Sequence, residues 1–191
     1  VEYIRKYSPD HARFITPIIS PMLAHAKILK QLYGEDVKIV FAGPCICKKL
    51  EADYFNNLVD VVITFKDLKK WFEQSDINLK NIAPNQPEAR FVPYRSGMGA
   101  YYPIEGGMLK GMQEGKKQIH HMAFSELSTV KDVLKELDSH RENDSIFLEL
   151  LACKGGCING PAKLSHISPA LKRYEIIHQS ELGNPKRSEE R

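Results

Sequence analysis

Residues 37–51 read VKIVFAGPCICKKLE, and this stretch decides the fold. Val37 to Ala42 is an apolar run of strand length, bounded by turn residues, and reads as a buried strand. It runs straight into Gly43-Pro44-Cys45, so a cysteine sits in the loop that leaves the strand. A second stretch repeats the arrangement. Ile146 to Ala152 (IFLELLA) reads as a strand that ends on Cys153, and Lys154-Gly155-Gly156-Cys157 follows.

The elements around these two strands alternate. Residues 1–8 read as the end of a helix. Ser20-Pro21 supplies an N-cap and a proline at the first helical position. Met22, Ala26, Leu29, Leu32 and Tyr33 then recur at helical spacing, and Gly34 is a natural stop, so a helix is expected over 21–33. Val59 to Phe65 reads as a second strand. Thr64 with Asp67 three residues on resembles a capping box, and Leu68, Trp71 and Phe72 give the next helix its apolar face. Residues 75–107 are rich in proline and glycine. They read as a long, partly ordered connection with one short strand near Arg90–Val92, and Gly106-Gly107 is expected to open a helix. Gln118 to Phe124 reads as a strand. Leu127, Val130, Val133, Leu134 and Leu137 make an amphipathic helix. A short helix or turn is expected after Gly160, and a polar tail or linker over 180–191. Strands alternating with helices imply an α/β fold of mostly parallel sheets flanked by helices, with one domain over 1–179.

Composition narrows the class. The 191 residues suffice for one domain or two small lobes sharing a core. They are 42% apolar and 27% charged, ordinary for a globular protein. The net charge is only +3, with bases and acids interleaved, so no nucleic-acid footprint is expected. No apolar run approaches the ~20 residues of a membrane helix, and no signal peptide is present. A cytoplasmic setting is therefore expected, where clustered thiols more often bind metal than form disulfides. The chain begins at Val1 without a Met, which reads as a fragment or processed product. Nothing in the sequence specifies an oligomeric state.

The cysteines carry the chemistry. In open α/β sheets, ligands bind at the carboxyl ends of strands. Two cysteine-bearing loops leaving two strands at that edge can converge. The two glycines between Cys153 and Cys157 let the chain curl and bring backbone N–H groups near an anionic inorganic core. Three residues between those cysteines, and one between Cys45 and Cys47, fit a zinc knuckle poorly. The competing readings are plain packing, zinc, and a redox or disulfide role. Cys47 alone reads as a small buried hydrophobe. If 45–47 is extended, both thiols leave on one face, which permits shared ligation. Lys48 and Lys49 read by default as a solvated pair. His120 and His121 alternate across a strand and read as structural, and His25, on a helix, reads as surface or core.

At these two loops the sequence resembles the C-terminal domain of the iron-only ([FeFe]) hydrogenase large subunit. The residues are Gly-Pro-Cys-Ile-Cys-Lys-Lys-Leu-Glu (43–51) and Glu-Leu-Leu-Ala-Cys-Lys-Gly-Gly-Cys-Ile-Asn-Gly (149–160). The family patterns are Met-Pro-Cys-x-x-Lys-x-x-Glu and Glu-x-Met-Ala-Cys-x-x-Gly-Cys-x-x-Gly-Gly. Ser20-Pro21 and Gly106-Gly107 also fall where the family has Ser-Pro and Gly-Gly. The resemblance reaches to about residue 165. It implies a hydrogenase-like fold of two small lobes. It implies that Cys45, Cys153 and Cys157 bind a [4Fe–4S] cluster, with Cys157 bridging to a binuclear iron subsite in the full-length protein. Lys48 would point at that subsite, Glu51 would stand behind Lys48, and Pro44 and Ala152 would line the cofactor.

The departures bear on function. The family motif carrying the remaining cubane cysteine falls before Val1, so the cluster is expected to be incomplete or absent on this chain. Gly43, Met22 and Leu151 replace the family's Met, Gln and Met, and Asn-Gly-Pro-Ala (159–162) shortens its glycine-rich end. These changes line the space of the binuclear subsite and argue against efficient hydrogen turnover. The pattern looks closer to hydrogenase-like domains of bacterial regulatory proteins, fused to ferredoxin-like and PAS modules. The expectation is an iron–sulfur redox or H2 sensing module, weakly active or inactive as this chain. A catalytic hydrogenase subunit and a non-catalytic iron–sulfur assembly scaffold are the rivals.

Overall fold

A computed structural model of the chain describes residues 1–82, 92–93, 96–112, 119–139, 145–164 and 166–182. The chain opens with helix α1 (Glu2–Tyr7) and continues through α2 (Pro21–Tyr33), strand β1 (Val40–Gly43), α3 (Cys47–Tyr54), β2 (Val61–Thr64) and α4 (Phe65–Gln74). It continues with β3 (His120–Ser125), α5 (Leu127–Glu136), β4 (Ile146–Leu151) and α6 (Pro169–Leu182).

Among the described residues the strands form two separate two-stranded sheets, and both are parallel. Val40 pairs with Val61 and Gly43 with Thr64 in the first. His120 pairs with Ile146 and Ser125 with Leu151 in the second. A parallel pair needs a crossover, and α3 and α5 provide them. This is the expected α/β architecture of two small lobes.

The first lobe is held by apolar burial. Met22, Leu23 and Ala26 of α2 pack with Ile39, Ala52 and Val59. Leu23 and Val59 are fully buried, which stabilises by about 2–3 kcal/mol for each large side chain. Leu32 and Tyr33, which share the helical spacing of Met22 and Ala26, are exposed at the last turn of α2. Ser20 caps α2 by accepting the N–H of Leu23. Thr64 and Asp67 form the expected capping box on α4. In the second lobe Val130 and Leu134 of α5 are buried, as are Tyr101 and Ile104 in the connection.

Several elements differ from the sequence reading. The strands are shorter than expected, and Phe65 already belongs to α4. Residues 47–54 form a helix, so Cys47 opens α3 and is not extended. No helix opens at Gly106-Gly107; a short 3-10 turn, Leu109–Gly111, follows instead. The Glu149 carboxylate accepts the N–H groups of Gly106 and Leu109 there, at 3.2 and 3.3 Å. The close packing expected of those glycines is present: a Cβ on Gly107 would lie 1.7 Å from the Tyr101 carbonyl oxygen. A turn follows Gly160, and α6 then extends through Leu182, into the stretch read as linker. Arg90 and Phe91 of the expected short strand, Gln118 of the third strand, and the tail over 183–191 lie outside the described residues. No helix among the described residues is long and apolar enough to cross a membrane.

Candidate metal centre

The two cysteine loops leave the carboxyl ends of β1 and β4 and dock on each other. The Pro44 carbonyl oxygen accepts the N–H of Ala162 at 3.1 Å. Gly160 makes this possible, because a Cβ there would lie 2.4 Å from the same oxygen. Ala162 is itself buried.

The loop between Cys153 and Cys157 turns through two left-handed residues, Gly155 at φ 73° and Gly156 at φ 110°. Only glycine adopts such angles without strain. Gly156 also packs on the backbone of Pro103, Ile104 and Glu105, where a side chain would collide. The loop is tied on three sides. Gly155 donates its N–H to Ser125 Oγ at 2.9 Å, and Ser125 Oγ donates in turn to Glu105. Ile158 donates to the Pro103 carbonyl at 3.1 Å, and Gly156 to that of Cys153 at 3.0 Å. Ser125 and Glu105 were not singled out in the sequence. For Glu149 the sequence does hold a signal, a carboxylate inside the apolar IFLELLA run.

The thiols of both loops feel one another. All four cysteines are free, and Cys45, Cys153 and Cys157 are half-buried. Burial pushes the Cys157 thiol up to about 11, with the neighbouring Cys45 and Cys153 adding to the shift and Lys48 opposing it. Burial likewise raises Cys153, and Cys45 and Cys47 add to it. Three thiols thus share one corner of the molecule, close to one ammonium. Lys48 lies at the start of α3 and is ion-paired with Glu51, one turn on; each side chain is 23% exposed. Pro44 is half-buried at the loop junction, whereas Ala152 is exposed where β4 ends. Cys47 is exposed rather than buried, and partial burial together with the neighbouring Cys45 raises its thiol. His120 and His25 are exposed, and His121 meets Phe147 edge-on.

Among the described residues no three His, Cys, Asp or Glu side chains converge as ligands of one ion. Spaced thiols on two loops instead suit a multi-iron cluster, in which separate iron atoms take separate thiolates. The donor set, the glycine curl and the nearby cation all fit such a cluster. Cys45, Cys153 and Cys157 are three half-buried thiols at that corner, whereas a cubane takes four thiolates.

The comparisons with known proteins bear on the family and the fold. Residues 1–161 match the family model described as iron only hydrogenase large subunit, C-terminal domain. The chain belongs to that family. It is 24% identical to iron hydrogenase 1 of Clostridium pasteurianum over 221 residues, covering 92% of this chain and 38% of the relative. It is 22% identical to the NADP-reducing hydrogenase subunit HndD of Solidesulfovibrio fructosivorans over 235 residues, covering 98% of this chain and 40% of the relative. The chain thus spans about two fifths of these curated relatives. Among solved structures, a variant of the [FeFe]-hydrogenase HydA1 of Chlamydomonas reinhardtii superposes with a TM-score of 0.62 at 16% identity, over 92% of this chain and 63% of the other. That likeness establishes the hydrogenase fold. The family match ends at residue 161, so α6 lies beyond it.

Proposed function

We propose that this domain holds a [4Fe–4S] cluster on Cys45, Cys153 and Cys157 and serves as a redox or H2 sensing module of a cytoplasmic regulatory protein. In the full-length chain, ferredoxin-like and PAS modules would accompany it. The observation that carries the reading is the bond between Pro44 and Ala162, which brings thiols from both strand ends into one corner. Both curated relatives are named as hydrogenases, which supports iron–sulfur chemistry for the donor set.

A bound cubane supplies one-electron redox chemistry. Around it, this chain's own residues have distinct tasks. Cys45, Cys153 and Cys157 bind as thiolates, so loading releases their protons. Gly155 and Gly156 hold the ligand loop in its curl. Lys48 offsets negative charge beside Cys157, and Glu51 positions that ammonium. Gly43, Met22 and Leu151 stand where catalytic members carry other residues, which favours sensing over turnover.

The test is anaerobic reconstitution of the full-length protein with iron and sulfide. A brown product with a [4Fe–4S] EPR signal on reduction, whose attached module changes its output with redox state or H2, is expected. Rapid hydrogen turnover after maturation with the binuclear subsite would make the protein a catalytic subunit instead. A folded, colourless and iron-free product would overturn both.

A further inference from the structure

α6 packs beside the turn at Cys157–Asn159, and a cavity of about 250 Å³ lies between this helix and the junction of the two cysteine loops. Pro44, Phe65, Ile158 and Ile176 give it an apolar lining, and none of the four thiols borders it. Two lysines do. Lys163 sits in the turn after Ala162 and donates its N–H to the Gly160 carbonyl at 3.0 Å. Lys172 lies in the first turn of α6, which Ser168 caps by accepting the N–H of Leu171 at 3.3 Å. Lys172 is 8% exposed, a depth that lysine reaches only beside a partner. Burial, and then the neighbouring Lys163, lower its ammonium from the ordinary value, and Glu175 opposes them. Two cations against one carboxylate leave the described lining with a single positive charge. All three charged residues follow residue 161, where the family match ends.

We propose that this cavity is a binding site for a small organic acid, a monocarboxylate with an apolar body. Three properties of the lining select that class. A single net positive charge suits a monoanion, and ammonium groups bind a carboxylate through charge-assisted hydrogen bonds. Phe65, Ile158 and Ile176 gain by covering hydrocarbon, which an inorganic anion does not offer. The volume is that of about eight waters, so the ligand has roughly eight to ten non-hydrogen atoms. Gln179, on the second half of α6, adds an amide to the polar side of the cavity. Pro44 directly precedes Cys45, and Ile158 directly follows Cys157. An occupant therefore touches the neighbour of a cysteine in each loop and braces α6 on their junction. The binding itself does not rest on the cluster, and it stands or falls separately from the sensing role.

The probes are benzoate and octanoate, with benzyl alcohol as the uncharged control and inorganic phosphate as the charged one. Each is titrated into the full-length protein by calorimetry and ligand-observed NMR. The expected result is saturable binding of both carboxylates at one site, with a Kd on the order of 1 mM or tighter. Benzyl alcohol should bind severalfold more weakly, and phosphate should not compete. Lys163 is half-buried in its turn, so Lys163→Gln should fold normally and weaken benzoate severalfold while leaving benzyl alcohol unchanged. Ile176→Trp fills the cavity and should abolish binding of both. Should that variant fail to fold, Leu164→Trp at an exposed lining position carries the same expectation. Absence of saturation far above 1 mM overturns the proposal. So does benzyl alcohol that binds as well as benzoate, or phosphate that displaces it. Benzoate binding that survives a folded cavity-filling variant lies elsewhere, and that also overturns it. Benzoate binding in protein that takes up no iron would leave this site standing and the cluster reading failed.

Discussion

Gly160 and Pro44 are in backbone contact across the two cysteine loops, with room at Gly160 for hydrogen and for nothing larger. A Cβ there would lie 2.4 Å from the Pro44 oxygen and 3.1 Å from that of Cys157. Neither obstacle is a flexible side chain. Gly160→Ala is therefore expected to push the loops apart and cost about 1–3 kcal/mol. Far-UV circular dichroism should be retained, the urea midpoint should fall, and iron loading of the full-length protein should drop severalfold. Unchanged iron loading would show that the junction does not gather the ligands.

Glu149 ties the turn at residues 106–109 to the end of β4. Glu149 is 2% exposed, and its carboxylate accepts the N–H groups of Gly106 and Leu109. Glu149→Ala leaves both donors buried without a partner and should cost roughly 2–4 kcal/mol in urea unfolding. Burial raises the Glu149 carboxyl above its ordinary value, against the opposing pull of those N–H groups. A raised carboxyl stabilises the fold below its unfolded pKa, and that contribution is lost as pH rises through the folded value. The stability of wild type relative to Glu149→Gln should accordingly decline from about pH 4.5 upward. Urea midpoints of the two proteins across that range decide it; a rising difference would mean that the N–H groups outweigh burial.

Lys48 and Glu51 make an ion pair within one turn of α3, partly exposed. Such a pair contributes little to folding, so Lys48→Gln should change stability by no more than ~0.5 kcal/mol. Its charge has a different target, since it opposes the rise of the Cys157 thiol. Removing the cation disfavours the added negative charge of a reduced cluster. The reconstituted full-length protein carrying Lys48→Gln should show a lower midpoint potential by redox titration with an unchanged urea midpoint. A potential equal to wild type would leave Lys48 a surface residue.

What could be read from the sequence follows a physical division. β1, β2 and β4 announce themselves as apolar runs ended by turn residues, and Thr64 with Asp67 marks the start of α4. The cysteine loops were legible because glycine and proline fix where a strand stops. α3 was not, because CKKLEADY buries only Ala52 and has no apolar stripe. α6 was missed for a related reason: Leu171 and Tyr174 are exposed, while Lys172, a cation, is buried. The connection before β3 turns through short 3-10 segments, Gly97–Tyr101 and Leu109–Gly111, which carry no period for a sequence to show. Ser125, Glu105 and Glu149 act on the ligand loop and its neighbours through long-range hydrogen bonds, and spacing along the chain does not encode those.

The Thr64 cap links the first sheet to the site edge and gives the last prediction. Thr64 ends β2 opposite Gly43, the residue that leads into Pro44-Cys45. Its hydroxyl accepts the N–H of Asp67 at 3.2 Å, and the Asp67 carboxylate accepts from Thr64. Thr64→Ala should therefore cost about 1 kcal/mol of stability. The backbone N–H of Thr64 holds the Asp67 carboxyl below its ordinary value. A depressed carboxyl adds stability above its unfolded pKa, and that contribution disappears as pH falls through the folded value. Wild type should thus lose more stability than Asp67→Asn on acidification below about pH 4. Because Cys45 lies beyond the paired residues, iron loading of Thr64→Ala should stay close to wild type at low temperature. A severe loading defect in a variant that remains folded would mean that the sheet end, and not the junction of Pro44 with Ala162, positions Cys45.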